Sequence, residues 1–98
     1  MFKQETLARW QDRAEGNRQE IARLGVVLAR AHYEMEIIQR LLAKTSDPES
    51  RDTWRIQADV QQMFVASDED HLAEAQEDLA LCQAMIAEIE ADLAQHGA

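Results

Sequence analysis

An apolar seam that steps by threes and fours from Leu7 to Leu42 constrains this chain more than any other feature. It runs Leu7, Trp10, Ala14, Asn17, Ile21, Leu24, Leu28, Ala31, Met35, Ile38, Leu42, and only Asn17 is polar. Alternating steps of three and four place one narrow stripe along a long helix, as in a coiled coil. A second seam follows: Trp54, Ala58, Gln61, Val65, Asp68, Leu72, Ala75, Leu79, Cys82, Ile86, Ile89, Leu93. Gln61 and Asp68 interrupt it.

Between the seams lies Thr45-Ser46-Asp47-Pro48-Glu49. Pro48 suits a first helical turn, where its missing N–H costs nothing. Ser46 or Asp47 can accept from the free amides of that turn. Two weaker interruptions occur inside the seams. Gly16-Asn17 with Glu20 can end one helix and cap the next, although the unchanged heptad phase favours continuity. Ser67-Asp68-Glu69-Asp70 can likewise cap a new helix.

The seams test one another. In an antiparallel hairpin, facing positions add to a nearly constant number. Ile38 with Trp54 gives 92, Leu28 with Val65 gives 93, and Trp10 with Cys82 gives 92. Half of that sum falls at the Ser-Asp-Pro turn, which was located on other grounds. The expectation is all-α: a single antiparallel, coiled-coil-like helical-hairpin domain over residues 1–98. Its helices span about 3–45 and 49–95, with the turn at about 46–48 and a kink near 66–68 left open.

Composition supports helix over sheet. The 98 residues include three Gly and one Pro, and Ala, Leu, Glu, Gln and Arg are abundant. No apolar run approaches the roughly 18 residues that span a bilayer. Met1-Phe2-Lys3-Gln4-Glu5 does not lead into an apolar signal core. The one cysteine, Cys82, fits a reducing compartment, so the expectation is cytoplasmic. Net charge is −9, and all ten Lys and Arg precede residue 56. Residues 56–98 carry acids alone, so direct binding of nucleic acid is not expected, because that affinity comes from clustered cations.

Apolar residues outside the seams gather towards the turn: Val26, Val27, Tyr33, Ile37, Leu41, Ile56, Val60, Met63 and Phe64. Of these, Val27, Tyr33, Ile37, Leu41, Ile56, Val60, Met63 and Phe64 are the expected interface. A second stripe of this size calls for cover by another helical surface. The simplest arrangement is a homodimer forming a four-helix bundle.

Chemistry finds little support. His32 with Glu36 and Asp68 with His71 have helical ligand spacing, but ferritin-like di-metal sites use Glu-x-x-His pairs. The hairpin register places His32 near Gln61, away from His71, so these four remain weak metal candidates. Cys82 has no Lys or Arg near it in the chain and reads as a packed thiol. Trp10 and Trp54 read as packing anchors, and Asn17 and Gln61 as register-setting polar positions. Asp68 reads as a helix cap at an outward-drifting seam. No catalytic residue and no cofactor are expected.

The leading functional expectation is a non-catalytic interaction module, a small dimeric adaptor, chaperone or regulator that sequesters a protein partner through apolar helix faces. Two alternatives stand beside it. One is an acidic decoy that occupies the nucleic-acid site of a basic protein. The other is a metal-binding bundle assembled between chains.

Overall fold

The computed structural model describes residues 2–96, with side chains described from Lys3 onward. They form two helices, α1 (Phe2–Lys44) and α2 (Pro48–His96), in an antiparallel hairpin. Every seam position of both helices is buried or half-buried, so the three-and-four spacing is what the tertiary packing uses.

Helix α1 gives way at Thr45, one residue before the expected turn. Thr45 N–H donates to the Leu41 carbonyl at 3.0 Å, and its Oγ1 donates to the same oxygen at 2.6 Å. Asp47 is the cap of α2: its Oδ2 accepts from the Ser50 amide at 2.9 Å and the Ser50 hydroxyl at 2.8 Å. Pro48 is therefore the first residue of α2, the first-turn position its chemistry suits, and the helix starts one residue before the expected boundary at about 49. Its fixed φ and absent donor make it a good first residue once Asp47 has capped the turn. The Ser50 amide and hydroxyl bonds hold the Asp47 carboxyl below the usual carboxylate range. Arg51 completes the corner by donating from Nη1 to the Leu42 and Thr45 carbonyls, both at 2.9 Å. The Leu42 carbonyl lies in the last turn of α1 and the Thr45 carbonyl just past it, where a cation is favoured by the helix dipole.

The helical backbone continues through Gly16-Asn17 and through Ser67-Asp68. Asp68 is half-buried at its seam position and caps no helix, so the capping reading of Ser67–Asp70 is corrected. Asp68 lies mid-helix, where the amides near it have helical partners, and there is no orphan donor for its carboxylate to satisfy.

The hairpin has two compact units. The terminal unit comprises Met1–Ala22 and Leu72–Ala98, and the tip unit comprises Arg23–His71. In the terminal unit Ala14 and Cys82 are fully buried and Ala75 nearly so. In the tip unit Leu24 is fully buried, and Leu28, Ala31, Ile38, Ala58 and Val65 are the other buried apolar residues of that unit. Both cores are thin, because each helix offers only one stripe to the other. Among the described residues no helix is long and apolar enough to cross a membrane.

Candidate interaction surface

The apolar residues left over by the tip unit's core lie in the open. Met63 is 72% exposed, Phe64 63% and Tyr33 62%, and Ile56, Val60, Ile37 and Leu41 are also exposed. Val27, expected with them, is half-buried instead, and Val26 is exposed in its place. Position 27 adjoins Leu28 on the edge of the seam, whereas position 26 points further round the helix, which explains the exchange. Val60, Met63, Phe64 and Ser67 line a shallow hollow of about 300 Å³.

Heptad geometry orders this surface. On α1, Arg23, Arg30, Ile37 and Lys44 recur at seven-residue spacing, and all four are exposed. On α2, Glu49, Ile56, Met63 and Asp70 do the same. The α1 line stands two residues past the seam, on the flank of Leu41, whereas the α2 line stands two residues before the seam, on the back of α2. Paired in opposite order, each couple of residue numbers adds to 93. The tip unit's own cross-helix contacts spread about that sum: Arg51 meets both the Leu42 and the Thr45 carbonyls, and Gln61 Nε2 reaches the Ala31 carbonyl at 3.4 Å. Gln61 also donates to Glu34 Oε2 at 3.0 Å, so it ties the helices together as expected of a register-setting residue.

The opposite flank is polar. There His32 Nε2 lies 3.8 Å from Glu69 Oε1, with both side chains more than half exposed. The sequence had set His32 beside Gln61, but a flank position reaches the neighbouring helix's flank and not its seam. Glu36 stands 4.0 Å from Arg40 on its own helix. Of the four metal candidates, then, His32 and Glu36 have other neighbours. Among the described residues no group of three or more potential ligands gathers.

The terminal unit holds a polar cluster of another kind. Arg13 makes a two-pronged ion pair with Asp78, with Nε at 2.8 Å from Oδ2 and Nη2 on Oδ1. Asn17 Nδ2 donates to the same Oδ2 at 2.6 Å. The Arg13 and Asn17 hydrogen bonds pull the Asp78 carboxyl down to about 2. The Arg13 guanidinium also lies 5.1 Å from the centre of the half-buried Trp10 ring. Cys82 is fully buried, with its Sγ 3.7 Å from Asn17 Nδ2 and 3.9 Å from Asp78 Oδ2. Folding brings Arg13 near this thiol, which the linear sequence did not suggest. Lys3 pairs with Asp92 near the open end and lowers that carboxyl too.

Sequence reasoning missed Asp78 and Arg51. Asp78 lies one residue before the seam position Leu79, and its acidity looked like part of a solvated face. A signal was available, since Asn17 at a seam position needs a polar partner within reach. Leu81, 47% exposed in the terminal unit, was missed as well.

Comparison with protein-family models, curated proteins and solved structures returns no match. The geometry of this chain alone supports the functional reading.

Proposed function

We propose that this chain is a non-catalytic protein–protein interaction module, a small adaptor or regulator that works through the apolar flank of its tip unit. The supporting observation is the concentration of exposed large side chains there, from Tyr33 and Ile37 on α1 to Val60, Met63 and Phe64 on α2. Isolated exposed apolar residues are ordinary, but a contiguous set ordered by heptads is a surface made for another helix. Its neighbours Arg30, Lys44 and Asp70 give it a charged rim, as interfaces have. Cytoplasmic residence belongs to this reading, since a buried unpaired cysteine suits a reducing compartment.

The acidic-decoy reading is less well supported. Asp78 and Asp92 face in-chain cations, so two of the carboxylates it would present are already engaged.

The test is the Ile37→Glu, Phe64→Glu double variant, with helicity checked by circular dichroism. Association, measured by sedimentation and by recovery of bound protein on an affinity matrix, should be lost while helicity persists. Unchanged mass and unchanged binding would refute the proposal.

A further inference from the structure

We infer that the tip unit's apolar flank receives an acidic amphipathic helix of another protein, one whose apolar stripe is bordered by Asp or Glu. The inference rests on the interaction reading above and names the chemistry of the partner.

Heptad position defines the flank. It comprises the residues one before and two after Leu28, Met35 and Leu42 on α1, and one before and two after Ala58 and Val65 on α2. Ile37, Leu41, Val60 and Phe64 are its exposed large apolar side chains. Ile37 with Leu41, and Val60 with Phe64, stand one helical turn apart. Each helix therefore offers a ridge of the kind against which a third helix packs. The residue after each seam position belongs to the other flank, where His32 meets Glu69.

Charge decides the partner. The chain carries −9 overall, yet this flank is cationic. Arg30 and Lys44 stand seven residues to either side of Ile37, both exposed, and among the described residues neither is in an ion pair. The flank's one acid, Glu34, already accepts from Gln61 at 3.0 Å. The other flank holds Glu36, Asp59 and Glu69 and no large apolar side chain. Apolar surface and unengaged cations thus coincide on one side of the unit. Carboxylates beside an apolar stripe complement that combination, and a basic stripe is repelled by it. A second copy laid face to face brings the same cations and no unengaged acid. Any other surface of a second copy would make a head-to-tail contact, which builds open chains and no defined complex.

Peptides of opposite charge test this on the full chain. Two fluorescein-labelled peptides of about three heptads share a Leu stripe at seam spacing. One carries Glu beside the stripe and the other Lys. At −9 the chain as a whole favours the Lys peptide, so a preference for the Glu peptide comes from this flank. Fluorescence anisotropy should show the Glu peptide bound about three- to tenfold more tightly. Arg30→Glu with Lys44→Glu should reverse the preference. Arg9→Glu with Arg18→Glu, the same change of charge at exposed positions of the terminal unit, should leave it in place. Phe64→Gln should weaken both peptides alike.

Tighter binding of the Lys peptide, equal binding, no binding of either at about 100 μM, or a preference unmoved by the Arg30 and Lys44 changes would overturn the inference. So would Phe64-dependent binding to phosphatidylglycerol vesicles, which assigns the flank to an anionic membrane. A Phe64-dependent dimer that excludes the Glu peptide would assign it to a second copy and overturn the inference too. These outcomes separate it from the broader proposal. If the peptides show no preference and association is still lost in the Ile37→Glu, Phe64→Glu variant, only the partner's chemistry is wrong. If every association is indifferent to Ile37 and Phe64, both readings fall.

Discussion

Asn17 and Asp78 face each other across the hairpin, joined by a 2.6 Å hydrogen bond to the carboxylate oxygen that Arg13 Nε also reaches. A polar residue in an apolar seam fixes register at a cost in stability. Asn17→Leu should therefore raise the melting temperature by a few degrees, corresponding to about 1 kcal/mol, and add species of other size on gel filtration. Asp78→Ala should lower it, because Asn17 and Arg13 then lose their shared acceptor. A less stable Asn17→Leu protein of unchanged size would show that the hydrogen bond is a net stabiliser and sets no register.

Acid should act through the same carboxylate. Asp78 is held at about 2, below its ordinary 3.8, so its contribution is complete above about pH 4. The contribution fades as pH falls through 2, because the unfolded chain then binds the proton more readily. Asp47 and Asp92 are lowered as well and act in the same direction. Thermal melts from pH 6 to pH 2 should show stability falling below pH 4, with a shallower fall for Asp78→Asn. Superimposable profiles for the two proteins would count against the ion pair as the source.

Gly16 and Gly25 lie inside α1, and an added methyl at either would meet nothing within 4 Å. Glycine in a helix interior costs about 0.5–1 kcal/mol relative to alanine. Gly16→Ala and Gly25→Ala should each stabilise the chain by about that much in urea titrations. A loss of stability at either would reveal a neighbour that only the assembled state provides.

Leu24 is fully buried in a core with few other large side chains. Leu24→Ala should cost about 2–4 kcal/mol, enough to unfold much of a small hairpin. Met63→Ala, at an exposed position, should change the stability of an isolated chain by less than about 0.5 kcal/mol. Chemical denaturation of both, at a concentration below any self-association, checks the contrast.

Cys82 is buried, so its reaction with a thiol reagent requires opening of the terminal unit. Native protein should react at least about tenfold more slowly than protein in denaturant. Equal rates would mean that the unit opens freely.

Much of the architecture was legible from spacing alone. Leu24, Leu28, Ala58 and Val65 are buried where the seams place them. Helical periodicity is a local property that survives into the fold because burying one stripe is the main force available to such a chain. The exposed residues Tyr33, Ile37, Val60, Met63 and Phe64 were legible as the complement of that stripe.

What the sequence determined by itself is the pair of helices, the corner between them, the phase in which they meet and the apolar residues left over. Each follows from backbone geometry that repeats every few residues. Only the tertiary structure decided that Asp78 binds Arg13 and Asn17 and that Arg51 closes the end of α1. Those outcomes depend on the reach of single side chains across a gap between helices, and that distance is set by packing, which no local pattern encodes.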